Sequence, residues 1–108
     1  MDERLLHFAE SVSTLAALPI FHLKAGKAPT PPYACWYVSN DRNFYADDSI
    51  YCFCGWTVTL EIYSRKDGQG LEILNQLKKE GYGASLKDDN WMADENLWLT
   101  ILEIEVNG

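Results

Sequence analysis

The run Trp56–Tyr63 alternates without interruption. Trp56, Val58, Leu60 and Ile62 fall on one face, and Thr57, Thr59, Glu61 and Tyr63 on the other. A period of two belongs to a strand, because a helix would scatter those four apolar side chains around its axis. Isolated strands and hairpins are marginal in water, so this run demands partner strands and a cover for its apolar side. The partners lie close by. Two strand runs, Tyr33–Ser39 and Ser49–Lys66, flank a polar loop from Asn40 to Asp48. The second run is long enough to bend at Gly55 and give two strands, Ser49–Cys54 and Trp56–Arg65.

In Tyr33–Ser39, Ala34, Trp36 and Val38 alternate with Tyr33, Cys35 and Tyr37, so both faces are apolar or aromatic. Such a strand is either covered on both sides or meets another molecule on one. Upstream, Leu5, Phe8, Val12 and Leu15 recur at helical spacing and predict a helix over 3–18, with Asp2 and Glu3 at its positive end and Pro19 as its stop. Ile20–Lys24 reads as a brief edge strand, and 25–32 as a Gly/Pro-rich connector. Downstream, Asp67 is the expected N-cap of a second helix, Gly68–Glu80, ended by Gly81. A strand over Tyr82–Lys87, a polar turn over Asp88–Asn96 and a last strand over Leu97–Val106 complete the chain. On the last strand Trp98, Leu102, Ile104 and Val106 share one face, and Leu97, Leu99 and Ile101 the other. These elements predict a single α+β domain over residues 1–108, an antiparallel sheet of four to five strands with two helices packed on one face. No helix remains for the second face, which carries Tyr33, Tyr37 and Tyr63, and an uncovered aromatic face on so small a chain is an association site.

Charge and composition narrow the function. Nine bases against sixteen acids give a formal charge of −7, and the bases are scattered. Sequence-specific nucleic-acid binding is disfavoured, since phosphate recognition needs a basic stripe. No apolar run approaches the ~18 residues of a membrane span. The acidic, amphipathic start lacks the basic and apolar blocks of a secretory leader, so a cytoplasmic site of synthesis is expected.

The candidate chemistry is thin. Cys35, Cys52 and Cys54, with His22 as a fourth ligand, make a conceivable zinc set, but the paired spacing typical of zinc sites is missing. Buried thiols acting as small hydrophobes are the simpler account. His7 and His22 have no motif context for a Cys/His nucleophile pair. The acidic pairs Asp47–Asp48, Asp88–Asp89 and Asp94–Glu95 fall in expected turns, where Asp serves its own backbone. No phosphate loop or calcium-loop spacing is present. The reading is therefore of a protein that is not an enzyme, with no catalytic residue, metal or cofactor. The reading kept beside it is a small cytoplasmic metal- or ligand-binding regulatory module built on the cysteines.

Several short motifs occur in a telling order: Pro32–Tyr33 entering an aromatic strand, Asn43–Phe44–Tyr45–Ala46–Asp47–Asp48 in the loop, then Tyr51, then Leu60–Glu61–Ile62–Tyr63–Ser64, then Lys66–Asp67 before a helix. In that order and spacing, from about Leu15 onward, the chain resembles the tail terminator (tail-completion) proteins of long-tailed bacteriophages and prophages. The resemblance implies an α+β fold and a homo-oligomeric ring, usually a hexamer. That ring caps the tail tube in the virion tail after assembly in the bacterial host cytoplasm, with the tail tube protein and a head-completion protein as partners. It also implies subunit or tube contacts by Phe44, Tyr45, Asp47, Asp48 and Tyr51, to which the uncovered-face argument adds Tyr37 and Tyr63. Another head–tail joining or minor tail protein would share this logic. The segment Cys52–Phe53–Cys54–Gly55–Trp56 departs from the polar turn usual in that family.

Overall fold

The computed structural model describes residues 2–23, 29–45 and 51–107, with 42–45 and 51–54 as backbone only. Helix α1 (Glu3–Ala16) is followed by strands β1 (Ile20–His22), β2 (Tyr33–Tyr45) and β3 (Tyr51–Ser64), then helix α2 (Gln69–Lys79) and strands β4 (Gly83–Met92) and β5 (Leu97–Asn107). One five-stranded sheet has the order β1-β2-β3-β5-β4. It is antiparallel except at its β1 edge, where β1 runs parallel to β2. The expected antiparallel sheet is thus found, with parallel pairing at that three-residue edge.

The apolar stripe read from Trp56–Tyr63 does organise the molecule. Register places Ala34 opposite Ile62, Trp36 opposite Leu60 and Val38 opposite Val58. It continues Ile62 to Thr100, Leu60 to Leu102 and Val58 to Ile104. Leu5, Phe8, Ala9 and Val12 of α1 and Ile73, Leu74 and Leu77 of α2 join Ala34, Trp36, Val58, Leu60, Ile62, Leu102 and Ile104 in one buried cluster, so both helices lie on the same side of the sheet. Trp36 anchors the layer, edge-on to Phe8 at a centroid distance of 6.5 Å.

The helix ends explain why the boundaries differ from expectation. Asp2 caps α1, its Oδ1 accepting from the Arg4 backbone N–H at 2.8 Å. The helix stops at Ala16, short of residue 18, because Ala17 adopts a left-handed conformation (φ 56). Ser13 then holds the turn, its Oγ donating to the Leu18 carbonyl at 2.7 Å. For α2 the capping position is Gly68, with φ 80 and no side-chain cap, so Asp67 is not the N-cap. Gly81, at φ 90, gives the left-handed exit that the sequence announced. Gly70 is required for a different reason: a Cβ there would collide with Oγ1 and Cβ of Thr100 and lie 2.6 Å from its Cγ2. The first turn of α2 therefore rests directly on β5.

Three expected loop or bend assignments are corrected. The loop placed at Asn40–Asp48 is strand as far as Tyr45, because β3 is there to pair it. The run expected to break into two strands at Gly55 is a single strand, Tyr51–Ser64. Gly55, at φ 149, takes up a local register shift, where Arg42 faces Gly55 and Asn43 faces Phe53. The turn expected at Asp88–Asn96 is confined to 93–96. Asp88 and Asp89 belong to β4, with a second shift between Leu86 and Asp88.

Strand β5 ends opposite Gly55, at Asn107. Beyond that point β2 and β3 continue alone among the described residues, pairing Asn43 with Phe53, Phe44 with Cys52 and Tyr45 with Tyr51. This two-stranded arm gives the molecule extents of 53 × 25 × 25 Å and a radius of gyration of 15.0 Å. A compact chain of this length would have a radius of gyration of about 13 Å.

Candidate functional site

The candidate site is the sheet face away from the helices, together with the arm that extends it. Three aromatic side chains form its centre at the sheet end remote from the arm. Tyr33 and Tyr63 are register partners and stack at 4.8 Å with 14° between their planes. Phe21 meets Tyr33 edge-on at 6.4 Å. The next strand adds half-buried Leu99 opposite Tyr63 and Ile101 opposite Glu61. Among the described residues no helix covers this face, yet Cys35 is only 6% exposed and Tyr33 only 8%, with Phe21 and Tyr63 packed on its ring.

The Tyr63 hydroxyl donates to Oε2 of Glu61 at 2.9 Å. Burial, and then this bond to a carboxylate, push the Tyr63 phenol well above its ordinary range. Burial also raises that of Tyr33. Both hydroxyls are thus held protonated, and the cluster works as a packing surface with two polar rims. Toward the arm the face changes character. Thr59 and Thr57 of β3 lie opposite Glu103 and Glu105 of β5, and Lys87 pairs with Glu103 at 3.0 Å. The face is therefore aromatic at one end and acidic at the other.

Of the residues named from sequence, Tyr63 lies in the aromatic cluster. Tyr37 lies two residues beyond Cys35 on the same face, opposite Thr59. Phe44, Tyr45 and Tyr51 lie in the arm, where the backbone pairs Tyr45 with Tyr51. Asp47 and Asp48 lie outside the described residues. The structure thus brings Tyr63 together with Tyr33 and Phe21, and sets the arm residues apart from them along the same hairpin. Phe21 and Glu61 were missed as site residues. The alternation of β1 carried the signal for Phe21, but its three-residue length hid which strand it would join. Trp91, read as turn, sits on β4, 46% exposed, and packs on its register partner Trp98 at 5.2 Å, on the helix side of the sheet and so outside this face.

The cysteines and His22 do not converge. His22 lies opposite Trp36 and stacks on it at 4.4 Å, on the helix side. Cys35 lies opposite Phe21 on the other side of the sheet. Cys52 is nine residues along β3 from Glu61, the register partner of Cys35, a separation on the order of 30 Å at strand rise. Among the described residues no three His, Cys, Asp or Glu side chains are grouped to hold a metal ion. Asp88 and Asp89 serve local structure, since Asp89 accepts from Thr100 Oγ1 at 2.7 Å and Asp88 from Asn90 Nδ2 at 2.5 Å. No helix among the described residues is long and apolar enough to cross a membrane.

No protein-family model matches the chain, and no curated protein matches it in sequence.

Proposed function

We propose that this protein is a structural assembly component whose copies associate into a ring that caps a phage tail tube at the head–tail joint. The single observation that carries the reading is the sheet face without a helix layer, with its Phe21–Tyr33–Tyr63 cluster continued by a two-stranded arm. An aromatic cluster graded into an acidic rim has the anatomy of a protein interface. A two-stranded hairpin reaching past its sheet gains stability when a neighbour packs on it. The order of motifs from Pro32 to Asp67 supplies the identity of the particle, and the charge of −7 suits a channel through which DNA passes without adhering. A hexamer, the tail tube protein and a head-completion protein as neighbours, and residence in the virion tail follow from that resemblance. The protein carries out no chemistry in this reading. Its side chains set packing and register.

Absolute mass in solution, measured by light scattering behind a sizing column across a wide concentration range, is the first test. A closed oligomer near six copies, formed alone or on addition of tail tubes, is the expected result. The double substitution Phe44→Ala, Tyr45→Ala leaves the monomer folded and weakens the ring. A ring of unchanged size and stability in that variant would sink the assignment.

A further inference from the structure

The turn that carries β3 into α2 has the sequence Lys66–Asp67–Gly68–Gln69. The Gln69 N–H donates to the Lys66 carbonyl at 3.3 Å and closes a four-residue turn around Asp67 and Gly68. Gly68, at φ 80 and ψ −3, has the third-position geometry of a type II turn, which glycine adopts without strain. Asp67 is exposed, and neither its carboxylate nor the Gly68 N–H makes a hydrogen bond.

Among the aspartates of the chain, Asp67 alone precedes a glycine. Others are engaged as well as hindered. Asp2 is held by Arg4, Asp88 accepts from the Asp89 N–H at 2.9 Å, and Asp89 accepts from Thr100. A glycine has no side chain to hinder the approach of its own nitrogen to the preceding carboxyl group, and it lets the peptide between the two residues rotate. The one hydrogen bond closed across that peptide is the long one from Gln69 to Lys66.

We propose that Asp67–Gly68 is a site of spontaneous isoaspartate formation. The Gly68 nitrogen attacks Cγ of the Asp67 carboxyl group. The N–Cγ bond forms, a Cγ–O bond breaks, and the amide proton leaves with the departing hydroxyl as water. Water then opens the five-membered succinimide at either carbonyl. Opening at Cγ restores aspartate, and opening at the main-chain carbonyl leaves the chain running through Cβ and Cγ. One water is lost and one is taken up, with no oxidant, no reductant and no net change of charge. The product adds one main-chain atom between Lys66 and Gly68, just ahead of Gly70, whose contact with Thr100 leaves no room for a Cβ. The start of α2 must then shift on β5. This inference is independent of the assembly reading and uses neither the uncovered face nor the arm.

The test is ageing of the full chain in warm, mildly acidic buffer, then digestion with a glutamate-specific protease and labelling by protein isoaspartate methyltransferase with a radioactive methyl donor. Label is expected to build up with time in the peptide spanning 62–72, whose mass before labelling stays unchanged. Asn107, which also precedes a glycine, would deamidate with a change of mass and in a different peptide. Because the turn can open with little local unfolding, the rate in the folded protein is expected to lie within about threefold of that in the free 62–72 peptide. Asp67→Ser, at an exposed position without a bonded partner, should leave that peptide unlabelled. Aged wild type is expected to melt below fresh protein, and Asp67→Ser to keep its Tm through the same ageing. A 62–72 peptide that stays unlabelled would overturn the proposal, as would an equal loss of Tm in Asp67→Ser. So would a rate in the folded protein more than about tenfold below that of the free peptide.

Discussion

Gly70→Ala tests the packing that holds the helix layer to the sheet. At an ordinary exposed helix position this change stabilises by up to about 1 kcal/mol, and by less in a first turn. Here the new Cβ would overlap the Thr100 side chain, lying 2.6 Å from its Cγ2 and nearer still to its Oγ1 and Cβ. Real carbon contacts settle at about 3.5–4.0 Å, so α2 or β5 must move by more than 1 Å. Thr100 cannot yield by rotating, because its own Cβ is part of the overlap and its Oγ1 donates to Asp89. Overpacking of this kind costs about 1–3 kcal/mol. Set against the smaller propensity gain, the net destabilisation is about 1–2 kcal/mol. For a domain of this size that lowers Tm by roughly 5–15 °C. Thermal and urea unfolding followed by circular dichroism measure it. A double-mutant cycle with Thr100→Gly isolates the contact, since the cost of Gly70→Ala should shrink when the whole Thr100 side chain is gone. The reasoning is refuted if Gly70→Ala raises Tm, or if its cost is the same in both backgrounds.

Trp36→Ala removes a side chain that is 2% exposed and touches both Phe8 and His22; a loss of about 3–5 kcal/mol is expected in urea unfolding, enough to leave a marginal domain largely unfolded. Tyr63 has its folded-state pKa raised above the unfolded value near 10 by burial and by Glu61, so its contribution to stability is complete below pH 10 and is lost as pH rises through the folded-state value. Phenolate absorbance should show Tyr63 and Tyr33 ionising above the ordinary range of a phenol, and Tyr63→Phe should flatten the alkaline fall in Tm. Asp2 behaves in the opposite sense: its hydrogen bonds to the Arg4 side chain and backbone lower its pKa below 3.8, so its stabilisation is present above that pH and disappears as pH falls through the folded-state value. Asp2→Ala should therefore lower Tm at neutral pH and narrow the difference from wild type in acid, a pattern that a pH series of melts will show or deny.

Strand faces were the most legible part of the sequence. Trp56, Val58, Leu60 and Ile62 announced the buried side, and Leu102, Ile104 and Val106 answered them, because alternation is a local signal and burial on one face enforces it. The uncovered face followed by subtraction, with two helices available for two sides. Lengths were far less legible. Asn40–Asn43 and Asp88–Asn90 look like turn residues, and each is strand only because a neighbour supplies the pairing. The direction of β1 was hidden too, since three residues carry no mark of the partner they will choose. Within the site, Tyr63 and Tyr37 could be placed on the right face by counting. The stack of Tyr63 on Tyr33 and the bond to Glu61 depend on register, which alternation alone does not state.

That register contains one feature with reach beyond packing. Val38 faces Val58, but Asn40 faces Thr57, so Ser39 has no register partner across the hairpin, and its Oγ donates to the Thr57 carbonyl at 3.1 Å. A strand has a parity, and one unmatched residue inverts it. Up to Val38 the even positions of β2 belong to the helix side, whereas Asn40 keeps company with Thr57 on the open side. A second unmatched residue, Cys54 on β3, comes just before the arm begins. These two positions act as switches set between the body of the sheet and its projection. Deleting either one would leave every core contact of Ala34, Trp36, Leu60 and Ile62 in place, and would keep Asn40 opposite Thr57 and Asn43 opposite Phe53, while removing the local bend and added twist that an unmatched residue gives its strand. The direction in which the arm leaves the sheet is thus written in single residues outside the core. A lineage could re-aim the arm by one insertion or deletion without refolding the domain.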